Sequence, residues 1–241
     1  MLAVTDERIS PQAVNRLLQY GYENISLPAF SALPQPVSAH PDMLFFQFGN
    51  KLITHKLYYK EAKRQLDKIC DKCGFELALT DENIGSAYPN DVLFNAAFIG
   101  NSIIGNLSFI SKHIKTFASE NGVKLINTRQ GYAKCSICVV SDNAIITPDS
   151  GIERDLKRNT DIDVLKISEG FVGLNGYNTG FIGGATGTDS ENVYFCGDIE
   201  YHPDKDKIIK FCNKYLKNAI CLTDTPLYDV GTIMLFNKSL K

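Results

Sequence analysis

The order hairpin, helix, strand recurs along this 241-residue chain, and it limits the fold more than any other feature. One pass runs DMLFFQF, a turn at Gly49-Asn50, KLITH, a helix LYYKEAKRQLDKICDKCG stopped by Gly74, and a strand FELALT. The next has VLFNAAFI, a turn at Gly100-Asn101, SIIGN, a helix SFISKHIKTFASENG and VKLINT. A third has CSICVV, the turn Ser141-Asp142-Asn143, AIIT, a helix opened by Pro148-Asp149-Ser150-Gly151, and DVLKIS. A fourth has GFIGGA, a long polar turn TGTDSEN, VYFCGD, a helix DKDKIIKFCNKYLK and AICLT. β-Branched apolar runs bounded by Gly, Asn and Asp read as strands, and Gly after a periodic run reads as a helix stop.

Two half-hairpins are left over. MLAVTD opens the chain, ahead of a helix with Ser10 as N-cap and Pro11 at its first position, and of a strand NISLP; DVGTIMLF closes it. Joining them completes a fifth unit. Repeats of about 40 to 55 residues imply solenoids, propellers or arrays. A solenoid needs capping repeats, whereas in a ring the last unit meets the first. The rival is an open α+β sheet with regular elements; the complementary ends favour a closed ring and one domain over residues 1–241. Residues 237–241 lie past the last strand and are expected to be dispensable, whereas Thr232 to Phe236 are not.

Composition narrows the functional classes. A formal net charge of −2 argues against a nucleic-acid surface. No apolar run approaches the roughly 20 residues of a membrane span, and the first residues lack a basic-then-apolar leader pattern. Seven cysteines at irregular spacing do not form a disulfide framework, so a cytoplasmic protein with reduced thiols is expected.

Five ββαβ units in a ring resemble the pentein fold, the five-bladed α/β propeller of the guanidine-modifying enzymes, which also serves a non-catalytic ribosome anti-association factor. His40-Pro41-Asp42-Met43-Leu44-Phe45 is similar to the His-x-Asp strand of arginine deiminases. Tyr88-Pro89-Asn90 with Asn95 and Ile103-Ile104 resembles the next blade of agmatine deiminase. Gly131-Tyr132-Ala133-Lys134-Cys135 falls where those enzymes carry a nucleophilic Cys. Through YPNDVLFNAAFIGN, QGYAKCSICVV and GFIGGATG the whole chain is similar to an uncharacterised bacterial family assigned to this fold. Two features depart from the enzymes. Two further units follow Cys135, as a circular permutation would leave them, and Gly183-Gly184 is followed by Ala-Thr-Gly-Thr rather than by a carboxylate.

The resemblance implies a Cys-dependent hydrolase or amidinotransferase-like enzyme acting on a guanidine-like or other small C–N substrate in the central cavity. The alternative is a non-catalytic binding protein of the same fold. A guanidinium carbon is a poor electrophile, so attack needs a thiolate, carboxylates that hold the cation, and an imidazole that protonates the leaving amine. Cys135, Asp42 and His40 have those types. Cys135 and Asp42 each lie eight residues before their turn Asn, at Asn143 and Asn50, so a fivefold arrangement brings both to one end of the axis, in one cavity with His40. The plainer readings are a small buried hydrophobe for Cys135, a loop residue for His40 and a turn cap for Asp42. Asp91, Asn95 and Asp229 start or line equivalent strands and are candidates for binding substrate. Gly183 and Gly184 are candidates too, because a strand without side chains lets a ligand approach. Lys134 lies beside the thiol, but strand alternation turns it away. Cys70/Cys73 and Cys135/Cys138 raise a zinc site; residues three apart on a strand face opposite sides, so no metal and no other cofactor is expected. His55, His113 and His202 are expected on solvated turns or helix faces.

Overall fold

The computed structural model describes residues 1–237; the expectation that the last five residues are dispensable falls, for 238–241, outside the described residues. The chain begins with β1 (Leu2–Asp6), α1 (Pro11–Gln19) and β2 (Glu23–Leu27). Next come α2 (Pro41–Leu44), the hairpin β3 (Phe45–Phe48) and β4 (Lys51–His55), α3 (Lys56–Glu61), α4 (Lys63–Cys73) and β5 (Glu76–Thr80). The third unit has β6 (Ala97–Ile99), β7 (Ser102–Gly105), α5 (Lys112–Glu120) and β8 (Lys124–Asn127). The fourth has α6 (Ala133–Ser136), β9 (Cys138–Ser141), β10 (Ala144–Thr147), α7 (Ser150–Asn159) and β11 (Asp163–Lys166). The fifth has β12 (Thr186–Thr188), β13 (Asn192–Phe195), α8 (Lys205–Lys214) and β14 (Asn218–Cys221), and β15 (Met234–Phe236) returns to the start.

These strands form five three-stranded sheets, in the orders β15-β1-β2, β3-β4-β5, β6-β7-β8, β9-β10-β11 and β12-β13-β14. In each, an antiparallel pair is followed by a helical crossover to a parallel third strand. The ring closes as the two half-hairpins require: Leu2 lies opposite Phe236 and Val4 opposite Met234 in antiparallel register.

The middle strand of each sheet is apolar on both faces, and the cores explain why. Leu2 and Val4 pack with Leu52 and Leu66 between the first and second units, while Ala3 packs with Tyr194 and Leu222 between the first and fifth. Ile53 joins Ile103 and Ile114; Ile104 joins Ile137 and Ile145; Ile146 joins Val193 and Phe195. Successive residues of a strand therefore enter different cores, and five cores, each shared by neighbouring units, run around the ring. A strand buried on both faces reads as a continuous apolar run rather than an alternation.

Local signals hold where they rest on backbone chemistry. The Ser10 hydroxyl accepts from the Ala13 amide at 3.2 Å, capping α1. Gly49 and Gly100, each at φ +56°, open two-residue hairpin loops, where a positive φ at the first position favours glycine.

Four assignments differ from the sequence reading. His40–Phe45 is not a strand: Asp42 lies in the single turn of α2, and β3 begins only at Phe45. Asp91 and Asn95 lie in turns before β6, so the expected strand start is shorter by several residues. Cys135 sits in the helical turn α6, ahead of β9. In the fifth unit a turn lies at 182–185, and the strand is Thr186–Thr188, inside the expected polar loop. Four or five residues cannot display a period, so an apolar helical turn and a strand look alike.

Candidate active site at the ring axis

These corrections share a cause. In each unit, a short lead-in segment precedes the first hairpin strand and turns toward the axis. Asp42 comes from α2, Asn95 from the turn before β6, Lys134 and Cys135 from α6, Gly183 and Gly184 from the turn before β12, and Asp229 and Thr232 from the segment before β15. Five lead-ins thus meet at one place.

Asn95, fully buried, is the hub. Its carbonyl oxygen accepts from the amides of Lys134 (2.8 Å) and Cys135 (3.2 Å). Its amide group donates to the Cys135 Sγ at 3.0 Å and to the Asp42 carbonyl at 3.2 Å. The Cys135 thiol in turn donates to Asp42 Oδ2 at 3.2 Å. Cys135 and Asp42, each eight residues before its turn Asn, are thus in contact, from helical turns rather than from the expected strands. Thr232 Oγ1 also donates to Asp42 Oδ2, at 2.7 Å, and accepts from Lys134 Nζ at 3.0 Å. Lys134 is thus not turned away from the thiol's surroundings: in a helical turn neighbouring side chains differ by about 100°, not 180°.

His40 stands one carboxylate further out. Its Nδ1 is 3.7 Å from Asp229 Oδ1 and its Nε2 3.7 Å from Asp6 Oδ2, all three side chains being buried. The Asp229 carboxylate accepts from the amides of Gly231 and Phe181, both at 2.9 Å. Glycine is required on this path. A Cβ on Gly231, at φ +71°, would strike His40, one on Gly184 the Asp229 carboxylate, and one on Gly183 the backbone oxygens of Lys134, Cys135 and Ile137. The carboxylate beside Gly183-Gly184 is therefore supplied by Asp229, from a different unit. Asp91 is buried behind the cluster, where Tyr132 donates to its Oδ2 at 2.6 Å.

Two cavities flank this cluster, so the expectation of one cavity shared by Cys135, His40 and Asp42 needs correcting. The larger, 940 Å³, is walled by Asp6, Arg8, His40, Cys196 and Asp229; the smaller, 530 Å³, by Asp42, Lys134 and Thr232 among others. Cys135 lines neither and lies between them, only 3% exposed. Cys196, Asp6 and Thr232 escape a reading of the sequence, and strand alternation wrongly sets Lys134 aside. Asp6 and Cys196 are legible only as polar ends of middle strands, the side of a sheet where ligands gather in open α/β folds.

Burial sets the electrostatics. It raises the Cys135 thiol well above its ordinary range, the charges of Asp42 and Asp229 add to this, and the Asn95 hydrogen bond opposes it. Burial also lowers Lys134, against the pull of Asp42. Asp229 is pushed up to about 6 by burial, with His40 opposing and Asp42 adding. Cys196 is pushed up to about 12, again chiefly by burial.

None of the seven cysteines is joined in a disulfide. Strand geometry is not what separates Cys135 from Cys138, since Cys135 is not on a strand; instead Cys135 packs in the core between the first two units, and Cys138 in that between the fourth and fifth. Among the described residues no group of three or more His, Cys, Asp or Glu is placed to hold a metal ion. None of their helices is long and apolar enough to cross a membrane. Of the three remaining histidines only His113 is solvated. His55 and His202 are buried, their ring nitrogens accepting from the amides of Leu57 (3.1 Å) and Asp204 (3.0 Å).

A ring of five ββαβ units whose lead-in segments meet on the axis is the five-bladed α/β propeller of the pentein class. The chain belongs to the family described as a family of unknown function, DUF6873, which it matches over residues 4–234. Solved structures share the fold at low identity. A dimethylarginine dimethylaminohydrolase from Pseudomonas aeruginosa, a Cys-to-Ser variant complexed with citrulline, aligns at TM-score 0.55 and 8% identity, over 93% of this chain and 91% of that one. The agmatine deiminase of C. jejuni aligns at TM-score 0.53 and 10% identity, over 92% and 75%. A dimethylarginine dimethylaminohydrolase adduct with 4-chloro-2-hydroxymethylpyridine aligns at TM-score 0.56 and 9% identity, over 93% and 91%. No curated protein sequence matches the chain.

Proposed function

We propose that this protein is a Cys-dependent hydrolase or amidinotransferase-like enzyme acting on a guanidine-like or other small C–N substrate at the ring axis. One observation carries the reading. The buried side-chain atoms without a hydrogen-bond partner among the described residues are His40 Nδ1, Asp42 Oδ1, Asp91 Oδ1 and Ser136 Oγ, and all belong to the lead-in segments around Cys135. Orphaned buried polar atoms are costly, and their concentration around Cys135 supports a site built for a ligand rather than for stability.

The chemistry follows from the types and positions. Asp42, with Asp229 and Asp91, offers negative charge to a cation, Asn95 stands beside the thiol, and Gly183 and Gly184 leave room for the carboxylate and carbonyl oxygens packed against them. A bound cation also offsets the carboxylate charge that holds the Cys135 proton, so the ligand itself promotes the thiolate. The thiolate attacks the electron-poor carbon, the C–N bond to the leaving amine breaks, and His40 supplies the amine's proton. Water or a second amine then releases the carbon from sulfur. The fold neighbours support this class through a citrulline complex and an agmatine deiminase. The reading includes a cytoplasmic protein of one domain, a small-molecule substrate, no membrane or nucleic-acid partner, and no cofactor.

A specific observation favours the second reading, a non-catalytic binding protein: the thiol is held protonated and lines neither cavity. Turnover of a panel of small guanidines and amidines, assayed for released amine or ammonia, separates the two. The enzyme reading expects turnover that Cys135→Ala reduces by a factor of at least about 10³. Binding of a panel member by calorimetry without turnover, or turnover that survives Cys135→Ala, would sink it.

A further inference from the structure

The polar side chains between Cys135 and the smaller cavity form an unbroken line. Cys135 Sγ reaches Asp42 Oδ2 at 3.2 Å, Thr232 Oγ1 reaches the same oxygen at 2.7 Å, and Lys134 Nζ reaches Thr232 Oγ1 at 3.0 Å. Asp42, Thr232 and Lys134 all line that cavity, and Cys135 does not. The line therefore joins a sealed thiol to an amine at an opening.

Thr232 makes the connection at a backbone cost. It is a buried β-branched residue at φ +69°, a conformation such residues rarely adopt. Its amide donates to the Gly184 carbonyl at 2.8 Å, and the neighbouring amide of Val230 donates to the same carbonyl at 3.0 Å. Strain of this kind persists where the surroundings impose it and clusters at functional positions. What it achieves here is to set one hydroxyl between Lys134 and Asp42.

We propose that Asp42, Thr232 and Lys134 are a proton relay that carries the Cys135 thiol proton to the Lys134 amine at the wall of the smaller cavity. This rests on the reading of Cys135 as the reacting thiol. For the transfer the Thr232 hydroxyl, which at rest donates to Asp42 Oδ2 or the Gly183 carbonyl, turns its proton to the lone pair of Nζ. The S–H bond then breaks as its proton joins Asp42 Oδ2, and that oxygen passes a proton to Thr232 Oγ1 as the hydroxyl's own proton moves to Nζ. Asp42 and Thr232 end unchanged, and thiol plus amine become thiolate plus ammonium with no net change in charge. Lys134 is the acceptor and Thr232 the positioning residue. The groups facing Lys134 are Asp42, Asp229, Cys135 and Cys138, and those facing the thiol are Asp42, Asp229 and Asn95. Burial opposes a charge at both ends, raising the thiol and lowering Lys134. His40 lies on the other side, between Asp6 and Asp229, and takes no part in this transfer.

The test is the rate at which iodoacetamide alkylates Cys135 in the full chain, followed by peptide mass spectrometry from pH 6 to 10. Thr232→Val keeps Lys134 and the side-chain shape but removes the hydroxyl; Thr232→Ser keeps the hydroxyl. The relay expects Lys134→Met and Thr232→Val each to lose the neutral-pH limb, slowing alkylation at pH 7.5 by at least about tenfold, the effect of one pKa unit. Thr232→Ser should react like the wild type. Should Lys134→Met not fold, the Val/Ser pair decides alone. Thr232→Val with the wild-type profile would overturn the relay while leaving Cys135 as a reactive thiol. A wild-type Cys135 that alkylates at no pH, while other cysteines do, would overturn the reading of the thiol and the relay with it.

Discussion

Asp229 shows at the scale of one residue how the axis trades stability for chemistry. Its carboxylate is buried between two backbone amides, His40 and the charge of Asp42, and titrates at about 6 rather than its usual 3.8. Because the folded-state value lies above the unfolded one, the folded protein holds the extra proton between about pH 4 and 6. Its contribution to stability is greatest below that window and declines as pH rises through 6. A difference of that size between the folded and unfolded carboxyl is worth about 3 kcal/mol at most. The stability of wild type minus Asp229→Asn, from urea unfolding, should therefore shift against the wild type between pH 4 and pH 7.5. A difference that does not change with pH would refute this assignment. The carboxylate types at the axis are legible in the sequence. The partner of each is not, because Asp229 faces Gly184 and His40 across three different units, and no local pattern encodes such contacts.

Elements divide sharply into those the sequence reveals and those it hides. The middle strands KLITH and AIIT are found where their apolar runs place them, because burial on both faces leaves a continuous signal. The lead-in segments are hidden. HPDMLF contains enough apolar residues to pass for a strand, yet Pro41 at the first position starts a helical turn. The GFIGGA segment reads as a strand and is a turn, with the strand beginning at Thr186. Its glycines are there for close approach, and this can be checked. Gly184→Ala would drive a methyl group into the Asp229 carboxylate, so it should destabilise the protein by about 3 kcal/mol or more, in the range of severe overpacking. Chemical denaturation measures it. A loss under about 1 kcal/mol would mean that the lead-in of the fifth unit can move away from the axis, and that the site is less rigid than its contacts imply.

At the scale of the molecule, five shared cores make each unit dependent on two neighbours, and the ring is only as complete as its closing pair. Phe236 packs edge-on to Phe75 with centroids 5.1 Å apart, and Met234 and Phe236 lie against the core between the first two units. Removing Thr232 to Phe236 strips the outer strand from the first sheet and takes Thr232 from the axis. The expected outcome is a chain that fails to fold cooperatively, seen as the loss of a single sharp thermal transition by circular dichroism. A truncated protein that melts as sharply as the full chain would contradict the closed ring. The same closure brings residues far apart in sequence, such as Asp42 and Thr232, to one point. The central claim is that this point reacts through Cys135. Its most direct measurement is site mapping by peptide mass spectrometry after brief, neutral-pH exposure to a small cationic alkylating agent, which the axial carboxylates would attract. The account predicts one dominant adduct, on Cys135, that free guanidine protects against. Labelling that falls first on Cys196, in the larger cavity, or on the half-exposed Cys70 and Cys73, with Cys135 untouched, would contradict it.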